Sequence, residues 1–151
     1  MPNKKEKIFI KNLHEKYRLI YYIGKMTGLR IGDILDIKPQ KIKGLYLSLV
    51  EHKTKKRRKI KLELWLVSVI RRYVKKNNIK ETSKIFDVSR QAVWKEFKSV
   101  AKKMHLRKNI GTHSMRKKCA KNVYRATKSV GEVAKKLNHE NENVSMTYLF
   151  E

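Results

Sequence analysis

Apolar residues at Ile8, Leu13, Tyr17, Ile20, Tyr21 and Ile23 recur at helical spacing, and predict one amphipathic helix from Lys5 to near Lys25. The stripe ends at Thr27-Gly28, where glycine can take the positive φ that closes a helix. A short amphipathic segment from Ile31 to Ile37 follows, closed by Pro39. Then the period changes to two. Leu45, Leu47 and Leu49 alternate with Tyr46 and Ser48, and Ile60 and Leu62 alternate with Lys59 and Lys61. This predicts a two-stranded antiparallel ribbon with the basic run Lys53 to Arg58 near its turn. Helical spacing then returns. Leu64, Leu66, Val67, Ile70 and Val74 line a helix ending at Asn77-Asn78. Ser89 is positioned as the N-cap of a helix running to about Met104, with Val93, Phe97, Val100 and Ala101 inward. Three shorter helices are expected over Ser114 to Tyr124, Val130 to Leu137 and Asn143 to Phe150. The expected fold class is mainly α with a small antiparallel β-sheet (α+β).

Charge changes the picture. Among 151 residues, 39 Lys and Arg face 13 Asp and Glu, a formal net charge of +26. Such a chain repels itself unless a polyanion compensates it, and nucleic acid is the commonest one inside cells. A compositional drift toward lysine would raise glutamate as well, and acids are scarce here. An anionic membrane surface is the weaker alternative, because no basic amphipathic helix with a bulky apolar face stands out. No apolar run approaches the roughly 18–20 residues that a bilayer crossing needs, and the N-terminal stretch lacks a signal-peptide core. Cys119 is the single cysteine, which excludes an internal disulfide and a cysteine-rich zinc site. No repeat, linker or compositional break divides residues 1–151, so one domain is expected.

Several polar residues are left over once this helical frame is drawn. Arg30 follows the glycine turn, and Lys53 stands near the ribbon tip. His113 and Arg116 are three apart and share a helix face. His139 ends a helix, and Tyr148 lies nine residues further on. Taken one at a time, these are a surface arginine, a solvated lysine, a helix-terminal histidine and a packing tyrosine. Taken together they are what phosphoryl transfer without a metal or cofactor requires. Arginines clamp non-bridging oxygens in pairs of bonds, a cation protonates the leaving oxygen, and a hydroxyl attacks in line.

Four ordered segments carry a resemblance to a known family. Thr27-Gly28-Leu29-Arg30-Ile31-Gly32-Asp33 resembles the first-arginine box of the tyrosine recombinases (phage integrases), with an acidic residue three after the arginine. The run Lys53 to Leu62 resembles that family's β-hairpin lysine segment. Gly111-Thr112-His113-Ser114-Met115-Arg116 resembles its His-x-x-Arg box, and Leu137-Asn138-His139 with Thr147-Tyr148 resembles its Leu-Gly-His and nucleophile segment. The resemblance spans residues 27 to 148 and implies the recombinase catalytic-domain fold. It implies that Tyr148 attacks a DNA phosphate to form a 3′-phosphotyrosyl link, with Arg30 and Arg116 on the non-bridging oxygens. Lys53 then protonates the leaving 5′ oxygen, a role that Lys55 could equally fill. His113 assists proton transfer, His139 bonds the phosphate, and Asp33 orients the site.

Duplex DNA is the implied partner, with further protomers or a separate clamp-domain protein completing an assembly. The helix after Ser89 resembles one that enters a major groove, making Arg90, Gln91 and Lys95 candidate DNA contacts. Lys55, Lys56 and Arg57 suit phosphate contacts, which add affinity rather than specificity. Against the family pattern, the N-terminal clamp domain is expected to be absent, little chain follows Tyr148, and Asn138 stands where glycine is usual. Two further readings stay open. One is a non-catalytic DNA-binding regulator or accessory protein with the same fold, to which the helix-turn-helix look of the Ser89 segment also points. The other is a relaxing enzyme of the type IB topoisomerase kind. A bacterial cytoplasm, with phage or mobile-element origin, is the expected setting.

Overall fold

A computed structural model describes residues 3–106 and 110–150. The elements are α1 (Lys4–Asn12), α2 (Glu15–Thr27), α3 (Ile31–Leu35), a 3₁₀ turn at Pro39–Lys41, β1 (Ile42–Lys43), β2 (Tyr46–Val50), β3 (Arg57–Lys61), α4 (Leu64–Lys76), α5 (Arg90–Lys103), α6 (Thr112–Thr127), α7 (Val130–Leu137) and α8 (Glu142–Phe150). The mainly helical frame with one small antiparallel sheet is as the periodicities predict.

The first predicted helix is in fact two. Leu13 turns to an extended conformation (φ −75°, ψ 146°) between α1 and α2. The Arg18 guanidinium holds the break by donating to the carbonyls of Ile10 (3.2 Å), Lys11 (3.3 Å) and Leu13 (3.0 Å). Packing dictates it. In one continuous helix Phe9 and Tyr21 would sit roughly 18 Å apart along the axis, yet their ring centroids are 5.7 Å apart. Both rings also meet Phe97 of α5 edge-on, at 5.8 and 5.9 Å. Folding α1 back buries Phe9, Ile10 and Leu13 and turns Ile8 outward, against expectation.

The ribbon is likewise a three-stranded sheet, ordered β1-β2-β3, because Ile42 and Lys43 pair with Leu47 and Tyr46 across a tight turn at Gly44. Two residues are too few to show an alternation, and Gly44 supplies the positive φ (59°) the turn requires. In the β2–β3 ladder, Leu47 pairs with Ile60 and Leu49 with Arg58 on the inward face. Tyr46, Ser48, Val50, Arg57, Lys59 and Lys61 face outward and are exposed. Helix α4 matches its predicted span, but Leu64 at its first position is 68% exposed instead of lining the core. Helix α5 begins as read from the sequence, with Ser89 Oγ accepting from Ala92 N at 3.1 Å.

Two apolar clusters result. The larger gathers α1 to α5, the sheet and Met115. The smaller lies under α6, α7 and α8 and consists of Cys119, Ala120, Val133 and Leu137, with Tyr148 and Leu149 packed on it. Gly28 joins the two. Its φ of +72° ends α2, and a side chain there would run into Leu137 Cδ2 and come within 3.1 Å of Cys119 Sγ. Gly28→Ala is therefore expected to destabilise the fold by about 2 kcal/mol or more, from left-handed strain and overpacking together. A urea midpoint at the wild-type value would contradict this.

Candidate active site

Helix α6 provides the centre of the site. Ser114 Oγ accepts from Gly111 N at 3.0 Å and fixes its first turn. One turn in, Arg116 is 1% exposed, unusual for a guanidinium without a carboxylate against it. It is held by acceptors of other kinds. Nη1 donates to the Gly28 carbonyl, Nε to the Tyr148 hydroxyl at 3.4 Å, and Nη2 points at His139 Nε2 at 3.4 Å. The Tyr148 ring stacks on the His139 ring (5.0 Å between centroids, 28° between planes), with the Arg116 guanidinium carbon 5.5 Å from the phenol ring centre.

These contacts fix the state of His139. A guanidinium only donates, so Nε2 accepts and the ring proton sits on Nδ1, 2.7 Å from the buried Ser145 Oγ. Burial, then the charges of Arg116 and Arg30, pull its pKa down to about 4, with Glu51 opposing weakly. His139 is thus uncharged at neutral pH. His113, in the first turn of α6, is also pushed below the usual imidazole range. Partial desolvation is the first cause, and Arg116, Arg30, Lys117 and Arg90 add to it. The residue as a whole remains exposed. The two histidines and two arginines therefore share one electropositive neighbourhood.

Arg30 is the N-cap of α3 and its guanidinium is half-buried, with Nη1 3.4 Å from Glu51 Oε2. Asp33 is buried. Its Oδ1 accepts from His52 N at 3.0 Å, while Oδ2 has no hydrogen-bond partner among the described residues. Asp33 therefore ties α3 to the loop that carries Lys53. That loop is fixed on its other side by Thr54 Oγ1 donating to Glu51 Oε1 at 3.1 Å. Lys53 and Lys55 stand exposed on it, and among the described residues neither ammonium makes a hydrogen bond or ion pair. Lys55 holds φ at 61° where the loop reverses. The structure thus gathers Arg30, His113, Arg116, His139 and Tyr148, and places Lys53 on an anchored backbone with a free side chain. Lys56, Arg57, Arg90, Gln91 and Lys95 are all exposed, on the hairpin and on the first turns of α5.

Two residues were missed by sequence reasoning. Glu51 is 0% exposed and sits between Arg30 and Arg58, and the Asn138 side chain donates to it as well. Arg58 donates Nη2 to the Lys136 carbonyl at 2.6 Å and places Nη1 3.5 Å from Glu51. That second contact is an ion pair too poorly aimed to be a hydrogen bond. Burial lowers the Arg58 pKa, with Arg116 adding to the effect and Glu51 opposing it. Three guanidiniums (Arg30, Arg58, Arg116) against two buried carboxylates (Glu51, Asp33) leave the cluster net positive and suited to a phosphodiester.

Among the described residues no helix is long and apolar enough to cross a membrane, and no cluster of three or more His, Cys, Asp or Glu could hold a metal ion. The chain is similar to the probable integrase/recombinase YoeC of Bacillus subtilis (strain 168), at 29% identity over an aligned length of 151 that takes in 95% of this chain and 82% of that protein. Its fold resembles that of the XerH site-specific recombinase bound to its difH substrate (TM-score 0.77, 19% identity, 97% of this chain). It also resembles the catalytic domain of bacteriophage HP1 integrase (TM-score 0.75, 16% identity), covering 98% of this chain and 84% of that one. The chain spans 49% of the XerH chain. The phage integrase family pattern matches residues 3–150, from α1 through the last residue of the helix bearing Tyr148. With that match over the whole described fold, and the tyrosine recombinase catalytic-domain architecture beneath it, the chain belongs to the phage integrase family.

Proposed function

We propose that this chain cleaves and rejoins duplex DNA at specific sites through a 3′-phosphotyrosyl intermediate on Tyr148. The observation that carries this is the phenol oxygen of Tyr148 within 3.4 Å of the buried Arg116, beside an uncharged His139. In the forward step the Tyr148 oxygen bonds to phosphorus while the bond from phosphorus to the 5′ oxygen breaks. The phenol proton passes to neutral His113, and the 5′ oxygen takes a proton from Lys53, or from Lys55 beside it. Arg30 and Arg116 bind the non-bridging oxygens as charge shifts onto them, and His139 adds a hydrogen bond once its ring proton moves to Nε2 and the Ser145 hydroxyl turns to donate to Nδ1. Rejoining reverses each transfer with a 5′ hydroxyl as the attacking group, so phosphodiester bond energy is kept. The guanidiniums supply the charge stabilisation that other phosphoryl-transfer enzymes draw from metal ions. Such an enzyme works where the DNA is, in the cytoplasm of a bacterial host, with other protomers or a clamp-domain protein as partners on the duplex.

The test is covalent trapping. A duplex from the protein's own genetic neighbourhood, nicked beside the cleavage site so that the cut fragment diffuses away, should give a denaturant-resistant protein–DNA adduct. A binding-only protein gives a mobility shift and no adduct.

Binding itself should be steeply salt-dependent. Lys55, Lys56, Arg57, Arg90 and Lys95 are exposed, and each that neutralises a phosphate adds about 0.9 to the slope of log affinity against log salt. Replacing any one of them by alanine should lower that slope by about one and leave sequence preference intact. A flat salt response would exclude duplex DNA as the ligand.

A further inference from the structure

The buried carboxylate of Glu51 has no part in the chemistry just described, yet four side chains from four segments converge on it. Oε2 faces Arg30 Nη1 at 3.4 Å and Arg58 Nη1 at 3.5 Å. Oε1 accepts from Thr54 Oγ1 at 3.1 Å and from Asn138 Nδ2. Three of the four adjoin the site. Arg30 belongs to it, Thr54 follows Lys53, and Asn138 precedes His139. Enclosing an ionised carboxylate is costly unless its lone pairs are met, and even a well-met buried ion pair adds little net stability over an apolar replacement. Its consequence is geometric. One fully enclosed group sets the distances among the cap of α3, the hairpin loop and the end of α7.

We infer that Glu51 is a positioning residue of the strand-cleaving centre, with Asn138 as its partner, holding Arg30, the Lys53 loop and the His139 segment in one arrangement before DNA arrives. The inference rests on the Tyr148 chemistry proposed above. A purely electrostatic role is separable from it by sign. Glu51 carries negative charge close to where a phosphate would lie, so on Coulomb grounds alone its removal would favour phosphate binding and speed cleavage. Positioning requires the opposite effect on the rate.

Glu51→Gln removes the charge and keeps the shape. Asn138→Gly removes the side-chain donor and keeps the backbone, because Asn138 is in the left-handed conformation (φ 57°) that glycine adopts freely. Single-turnover cleavage of the nicked duplex and mobility-shift affinity at fixed salt are measured for wild type, both single variants and the double variant. Each single change should slow adduct formation by about ten- to a hundredfold, with affinity equal to wild type or higher. The double variant should lose little more than the worse single one, since both changes loosen the same Glu51-centred cluster. Should Glu51→Gln fail to fold, Asn138→Gly decides alone. Wild-type rates in the folded variants, a faster Glu51→Gln, or losses that sum in the double variant overturn the inference and leave the function standing. No adduct from any protein, wild type included, removes the strand-cleaving function and this inference with it.

Discussion

Tyr148→Phe is expected to abolish the covalent adduct on a nicked duplex and leave the mobility shift nearly unchanged. The substitution deletes one oxygen atom. Stacking on His139 at 5.0 Å is a property of the ring and survives in phenylalanine. The lost hydrogen bond from Arg116 is 3.4 Å long, at the weak end of the range, so the fold should scarcely notice. The two other hydroxyls of α8 are already engaged. Ser145 Oγ is engaged with His139, and Thr147 Oγ1 donates to the Asn143 carbonyl at 3.2 Å on an exposed face. Loss of the adduct should therefore be complete. If wild-type and Phe proteins behave alike on an authentic site, Tyr148 is not the nucleophile and the binding-only reading stands.

Arg116 should give the next largest effect, in two separable parts. Arg116→Lys keeps a charge but replaces a planar fork with a single ammonium, which cannot reach the Gly28 carbonyl, the Tyr148 hydroxyl and a phosphate together. Adduct formation should fall by about 10²- to 10³-fold, the usual loss when one aligned donor to a developing anion is removed. Arg116→Ala adds a folding defect of about 3 kcal/mol, because a 1%-exposed side chain leaves a cavity and an unpaired Gly28 carbonyl behind it. Rapid-quench cleavage and urea denaturation measure the two separately. A lysine variant cutting at the wild-type rate would remove Arg116 from the transition state.

What the sequence made legible was whatever is settled locally. Helices α4, α5 and α7 follow the reading closely, since their caps and periodicity lie within the segments themselves. The break at Leu13 was not legible, because Asn12-Leu13-His14 contains neither glycine nor proline. It is imposed by Phe9 meeting Tyr21 and Phe97, residues that touch only after folding. Arg30, His113, Arg116, His139 and Tyr148 were singled out by their order and lie in one neighbourhood of the fold. Glu51 and Arg58 were missed although a signal existed. Glu51 continues the inward alternation of Leu45, Leu47 and Leu49, and Arg58 is in phase with Ile60 and Leu62. Arg58 was read as part of the basic run near the turn, and Glu51, just before that run, was not singled out. Their opposite charges, each in phase with the inward row and one diagonal step apart because Arg58 is paired with Leu49, mark a buried ion pair.

The anchoring of α8 has a consequence for how the enzyme would be switched on. The main cluster, which surrounds the segment leading into Arg30, is broad, whereas α8 rests on a satellite of four buried residues plus the Ser145 bond to His139. Opening free energy tracks buried apolar contact, so this last helix should fray long before the rest of the molecule melts. The nucleophile proposed above, Tyr148, would then be a part-time occupant of its own centre. Whatever clamps the final helix down, a neighbouring subunit or the duplex itself, sets the fraction of time the protein is armed.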